Sequence, residues 1–264
     1  MKNWKAVLLL GACLIFSGFA SNSAFAQSPN ASVYVVHGIP GHDVSEALDP
    51  ALPVDVQVDG SICLVSGLKF GDIAGPFTIP ANTTTGYSLV VSLANTLTPC
   101  GNSSSPVLSI SGVTFEVGEN ASVVAYLTGG SGPALKKFDN KLNTALDPIK
   151  NGESRLIVQH TANAPAVDIT VSEDTFILGD RPFVHPVATL HDVTNGEQAT
   201  ADLPSGSLWN WPQTQVTLTP AGAKSPVIGP YFFQLVPHTA YLIYAVGSLS
   251  TESFTLITKA IPGI

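Results

Sequence analysis

Leu156-Ile157-Val158-Gln159-His160, then Thr161-Ala162-Asn163-Ala164-Pro165-Ala166, then Val167-Asp168-Ile169-Thr170-Val171 form an apolar strand closed by a histidine, a proline-bearing loop, and a second strand opening on Val-Asp. The same order occurs once before. Val33-Tyr34-Val35-Val36-His37 is followed by an insert, then by Leu52-Pro53-Val54-Asp55-Val56-Gln57-Val58-Asp59-Gly60. A unit that recurs after about 120 residues is a duplicated domain and not a solenoid repeat.

Other segments keep the same order. Phe115 to Gly129 aligns with Phe233 to Gly247 without a gap. Ser105-Pro106-Val107-Leu108 aligns with Ser225-Pro226-Val227-Ile228, and Ile79-Pro80-Ala81 with Leu203-Pro204-Ser205. Each repeat holds short alternating strands separated by turn residues at sandwich spacing. The spacing predicts an all-β chain of two tandem Ig-like β-sandwich domains, over residues 31–150 and 151–264. A strand set of this kind buries one face against a second layer, so each repeat is expected to fold cooperatively alone.

Strands are expected at Ala31 to His37, Val54 to Val58, Ile62 to Val65 and Leu68 to Ile73, with Gly75-Pro76 as a break. Tyr87 to Leu93, Val107 to Ile110, Val113 to Val117 and Ser122 to Leu127 continue the first repeat. Leu135 to Gly152 reads as part irregular strand and part linker. Phe254 to Ile261 is the last strand.

Composition agrees with a packed, turn-rich chain. Apolar residues make up 45% and charged residues 11%, well below the usual quarter. Gly 23 and Pro 20 amount to about one residue in six, which leaves little room for long helices.

The first residues read as an export leader. Lys2 and Lys5 precede the apolar run from Ala6 to Phe19, and Ala24-Phe25-Ala26 is a small-x-small cleavage site, so residues 1–26 are expected to be removed. Leu10-Gly11-Ala12-Cys13 is a competing lipoprotein box, which would acylate Cys13. The apolar run continues past it, which favours cleavage after Ala26 and a secreted, periplasmic or surface-associated product. No later segment has the length of a membrane span. Losing Lys2 and Lys5 takes the formal charge from −8 to −10, which argues against a nucleic-acid partner.

Cys63 and Cys100 then remain, both in the first repeat, and an oxidising compartment predicts that they pair.

The strand, His, Pro-loop and Val-Asp pattern, with Phe70-Gly71-Asp72, the Ile79-Pro80-Ala81 step and a closing glycine, resembles the domain of unknown function 4397. The resemblance covers two copies, about Ala31 to Asp147 and Ser154 to Ile261, the second carrying Leu190-His191-Asp192 in place of Phe-Gly-Asp. It implies tandem β-sandwich modules on an exported bacterial protein, and no reaction.

His37 with Asp55, and His160 with Asp168, raise an acid–base reading, since a carboxylate-oriented imidazole can act as a general base. Strand parity opposes it. His160 shares the face of Leu156 and Val158, whereas Asp168 lies opposite Val167, Ile169 and Val171. The four residues are therefore expected to be structural, the imidazoles bonding loop backbone and the aspartates fixing turns. No nucleophile elbow and no His-Glu-x-x-His metal motif occurs, so no catalytic, cofactor or metal residue is expected.

His42, Asp43, Glu46 and Asp49 in the insert lack the spacing of a calcium loop and read as a solvated acidic face. Trp211 aligns with Tyr87 as a core position. Trp209 is the one candidate for a sugar-stacking contact. The expected role is a non-catalytic binding or structural module with a protein or glycan ligand. The alternatives are a secreted hydrolase and a carbohydrate-binding module.

Overall fold

The structure, a computed structural model, describes residues 29–95, 97–101, 106–130, 132–142, 148–175, 183–205, 213–225 and 228–264. The leader with Cys13, and both Trp209 and Trp211, lie outside the described residues.

The first repeat contains β1 (Asn30–His37), β2 (Val54–Val58), β3 (Ile62–Leu68), β4 (Ile73–Pro80), β5 (Asn82–Leu93), β6 (Leu108–Phe115), β7 (Asn120–Thr128) and β8 (Gly132–Asp139). The second contains β9 (Glu153–His160), β10 (Val167–Thr175), β11 (Phe183–Val193), β12 (Glu197–Pro204), β13 (Gln213–Pro220), β14 (Ile228–Phe233), β15 (Thr239–Val246) and β16 (Thr255–Pro262). Sheet β4-β1-β7-β8 faces β3-β2-β5-β6, and sheet β12-β9-β15-β16 faces β11-β10-β13-β14. One eight-strand plan is thus used twice, giving two tandem β-sandwich domains. In both, the first strand runs parallel to the seventh, with Val33 opposite Ala121 and Ile157 opposite Leu242.

Two kinds of strand build this plan. Val54-Asp55-Val56-Gln57-Val58 and Val167-Asp168-Ile169-Thr170-Val171 alternate, and supply one apolar face to a core. The strands β1, β7, β9 and β15 are buried almost throughout, around apolar runs such as Val33–Val36, Leu156–Val158 and Tyr241–Val246, the pattern of strands covered on both faces. Val33 and Val35 join Ala121, Val123 and Ala125 inside the first sandwich, and Leu156 and Val158 join Ile243 and Ala245 inside the second. The alternate residues of the same strands meet between the sandwiches. Tyr34, Val36, Val124, Tyr126 and Phe138 pack against Ile157, Ala240, Leu242, Tyr244 and Val246 in one apolar cluster. The two inner sheets therefore lie back to back.

Polar bonds fix this contact. The Ser122 hydroxyl is 2.7 Å from the Tyr244 hydroxyl and donates to Asn140 Oδ1, which also accepts from Gln159 Nε2. Arg155 makes a fork of two bonds to Asp202 and donates to the Lys141 carbonyl. Asn195 Nδ2 donates to the carbonyls of Leu127 and Ala162, one from each domain. Gly38 sits where β1 leaves this contact. A Cβ there would lie 2.9 Å from the Ala125 oxygen and from Val246 Cγ1, so only glycine fits.

Several local expectations change. Phe70-Gly71-Asp72 forms the turn between β3 and β4 and not a strand, with the Gly71 amide bonded to the His37 carbonyl. Gly75-Pro76 lies inside β4, because β4 is an edge strand and the pairing with β1 shifts register between Val33 and Val35, where a proline is tolerated. Val107 to Val117 holds one strand, β6, and not two. The irregular segment expected from Leu135 begins later, because β8 runs on to Asp139 paired with β7.

Cys63 and Cys100 are bonded. Titration of the unfolded chain should find neither thiol free, and replacing both with Ser should lower stability by ~2–4 kcal/mol in a urea melt.

Candidate functional site

The repeats differ most between their first and second strands. In the second domain Thr161 to Ala166 makes this connection, whereas in the first it takes residues 38–53. The longer connection includes a 3-10 turn, Gly41–Asp43. It then folds over the end of the first sandwich, held by Gly41 N–H to the Pro50 carbonyl and Phe70 N–H to the Ala51 carbonyl.

Beneath it lies a cavity of about 290 Å³. Ile39, Val44, Leu48 and Leu52 of the connection form one wall. Val54 of β2, Val91 and Leu93 of β5, Leu108 of β6 and Ala125 of β7 form the others, with Val107 and Pro133 at the rim. His37 is the one ionisable side chain in the lining. Val44, Leu93 and Val107 are 47%, 39% and 48% exposed, so the cavity opens to solvent through an apolar mouth. Its volume lies at the small end of ligand pockets, ~300–1,000 Å³, and is about twice that of an engineered cavity that admits benzene.

His37 is held at the cavity floor. Its Nε2–H donates to the Leu52 carbonyl at 2.8 Å, and Nδ1 faces the Ile39 amide at 3.4 Å. Burial lowers its pKa below the ordinary 6.5, partly offset by the Leu52 carbonyl and the charge of Asp72. His160 holds the equivalent place at the end of β9. Its Nε2–H donates to the Pro165 carbonyl, Nδ1 has no partner among the described residues, and burial lowers its pKa.

The repeated aspartates have a different task. Asp55 lies opposite the two-residue bulge Ser66-Gly67, where the β2–β3 register shifts. It accepts from the Ser66 hydroxyl at 2.6 Å and the Gly67 amide at 2.9 Å. Asp168 lies opposite the corresponding bulge His191-Asp192, accepting from the Asp192 amide at 3.0 Å with His191 at 3.4 Å. The Asp192 amide, then the His191 charge, keep the Asp168 carboxyl below its ordinary pKa. No hydrogen bond joins either His to its Asp among the described residues, so the two pairs form no acid–base dyad.

The two aspartates differ in cover. Asp168 keeps 25% of its side chain exposed, as parity predicts for that face. Asp55 is fully buried. The loop after β5 folds back over it, so that the Cys100 amide donates to Asp55 at 2.7 Å and the Cys100 carbonyl accepts from Gln57 Nε2 at 2.5 Å. The disulfide pins the same residue to β3.

The insert cluster does not converge. Asp43 is buried, accepting from Ser253 of the second domain and lying 3.2 Å from His42, so it is not part of a solvated face. Glu46 is exposed, and Asp49 caps the Ala51 amide. Among the described residues no group of three or more His, Cys, Asp or Glu could hold a metal, and no helix is long and apolar enough to cross a membrane. The cavity was not legible in sequence. Its one trace is the insert, whose Val44, Leu48 and Leu52 recur at four-residue spacing.

Both lowered imidazoles predict acid sensitivity. Unfolded, each His keeps the ordinary 6.5; folded, each protonates only at lower pH. Between those values the unfolded chain binds more protons. Stability is thus fully present above about pH 6.5. It falls as pH drops through the window, by at most ~1.4 kcal/mol per pH unit per imidazole. Urea melts between pH 7.5 and 5 should show this slope, reduced in His160→Gln. His160→Ala should cost ~1–3 kcal/mol at pH 7.5, since the Pro165 carbonyl loses its donor.

Comparison with protein families gives a match. A model described as domain of unknown function (DUF4397) covers residues 31–170, from β1 into β10. The sequence reading expects two copies; the match does not extend to a second. A comparison with curated proteins returns no match.

Proposed function

The chain belongs to the domain of unknown function (DUF4397) family, and from that membership, which brings no reaction with it, we propose that it is an exported, non-catalytic binding module of the periplasm, cell surface or exterior. The observation that carries the reading is the open apolar cavity of the first domain. Its lining offers no Ser, Cys or carboxylate beside His37, so it can enclose a ligand but holds no nucleophile–base pair. Support for export comes from Lys2, Lys5, the apolar run and Ala24-Phe25-Ala26, together with a disulfide of the kind oxidising compartments retain.

The hydrolase alternative has no favouring observation, because both His and both Asp are engaged with backbone. The carbohydrate alternative rests on Trp209, outside the described residues. The test is native mass spectrometry of the full chain purified from a culture that exports it. The expected result is a chain starting near Gln27 that carries a bound molecule, released on unfolding. A chain retaining its leader overturns the export half. A hydrolytic activity that His160→Ala abolishes while the fold persists overturns the non-catalytic half.

A further inference from the structure

We propose that the cavity beneath the 38–53 connection takes a free, uncharged apolar small molecule and selects against anionic amphiphiles; this rests on the binding-module reading and specifies its ligand class. Three features define that class. The first is room: about 290 Å³ suits a bicyclic ring system or a short alkyl chain better than a whole lipid. The second is polarity. The lining is aliphatic apart from His37, whose Nε2–H is committed to Leu52, so a charge carried inside would be desolvated without a partner.

The third is the charge around the mouth. The segments that adjoin lining residues, 38–53, 94–107 and 129–132, contain no Lys or Arg, and their one His, His42, lies 3.2 Å from Asp43. The first of them carries Asp43, Glu46 and Asp49, the last two exposed beside Val44 and Leu48. A carboxylate, sulfate or phosphate head left at the mouth would therefore meet Glu46 and Asp49 and no Lys or Arg of these segments, on a chain already acidic overall. The second domain provides an internal comparison. Its short Thr161 to Ala166 connection places Ala162, fully buried, in the core cluster at the equivalent end.

Two fluorescent probes with the same anilinonaphthalene skeleton separate these terms. N-phenyl-1-naphthylamine is neutral, and 8-anilinonaphthalene-1-sulfonate carries one negative charge. Titrated into the full chain at low ionic strength, the neutral probe should saturate one site with a blue-shifted emission. The sulfonate should bind at least about tenfold more weakly, the ratio that ~1.4 kcal/mol of charge repulsion and desolvation produces. Ala125→Phe, which fills the cavity from β7, should abolish neutral-probe binding. Val107→Arg, at an already half-exposed position, should leave the fold intact and bring the two affinities within about threefold. Should Ala125→Phe fail to fold, Leu48→Trp blocks the mouth from the connection and serves the same purpose.

Equal or tighter binding of the sulfonate to the unaltered chain, still blocked by the filled variant, overturns the ligand class and leaves the binding module standing. Absence of saturable binding by either probe overturns the proposal, and the module reading is then decided separately by the extraction experiment. Neutral-probe binding that none of the variants alters places the probe elsewhere and likewise overturns it.

Discussion

Replacing Asp55 by Ala should destabilise the protein by ~3–5 kcal/mol, while Asp168→Ala should cost far less, although the two residues occupy the same place in the repeat. The carboxylate of Asp55 is the buried acceptor for the Ser66 hydroxyl, the Gly67 amide and the Cys100 amide. Deleting it removes the acceptor of three donors, the Cys100 bond fully buried and the Ser66 and Gly67 bonds part-buried, and leaves a void where Asp55 was enclosed. Gly67 has a φ of +69°, so the bulge it completes is held by that bond and not by a regular ladder. Asp168 accepts the matching amide from Asp192 at a position partly open to water, which can replace it. Asp55→Asn keeps one acceptor oxygen and should fall between, near ~1–2 kcal/mol. Urea melts of the three variants at one pH decide the matter, and equal costs for Asp55→Ala and Asp168→Ala would mean that the disulfide loop adds nothing to this clamp.

The second large effect comes from separating the domains. Cut between Lys150 and Asn151, the two halves should not behave as independent soluble domains. Each keeps its own internal core. Each also bares one side of the shared layer: Tyr34, Val36, Val124, Tyr126 and Phe138 on one, Ile157, Leu242, Tyr244 and Val246 on the other. Burial is worth ~1.5–3 kcal/mol for a large apolar side chain. Losing it for even part of this layer removes much of the ~5–15 kcal/mol that holds a domain folded. Ser122, Asn140, Gln159 and Tyr244 would also lose partners across the cut. The expected result is that each half alone oligomerises or melts without a sharp transition, and that the halves refolded together recover a 1:1 complex. Two monomeric halves with cooperative melts would show that the shared layer is dispensable, as an independent fold for each repeat predicts.

The duplication, most strand positions and the disulfide were legible because each depends on local pattern: period-two alternation, turn residues and two lone cysteines. The back-to-back sheets also left a trace. Val33-Tyr34-Val35-Val36 and Tyr241-Leu242-Ile243-Tyr244-Ala245-Val246 are apolar at every step, where Val54-Asp55-Val56-Gln57-Val58 alternates, and that contrast separates strands covered twice from strands covered once. What covers the second face is a matter of tertiary placement, which periodicity does not carry. Asp55 shows the same limit. Parity put it on the outer face of its sheet, and it is there, but the loop through Cys100 returns over that face and seals it. The cavity is a space between elements, and no residue pattern encodes the shape of a space.

The parallel pairing of first and seventh strands sets an order of events. Val33 waits for Ala121, about ninety residues later in the chain, and within each sheet β1 and β9 are central strands that cannot remain at an edge. Contacts this distant make for a high contact order, and chains of that kind refold in milliseconds to seconds, not microseconds. A chain growing from its N-terminus has already made the apolar β1, and β4 to cover one of its edges, well before β7 exists to cover the other. Through that interval Tyr34 and Val36 present an open edge and an apolar face together, the combination that invites pairing with a neighbouring chain. Synthesis must run through Thr128 before the first inner sheet can close, and through Val246 before its outer face is covered. Any holdase that attends this protein during its synthesis therefore has nearly the whole chain to wait for.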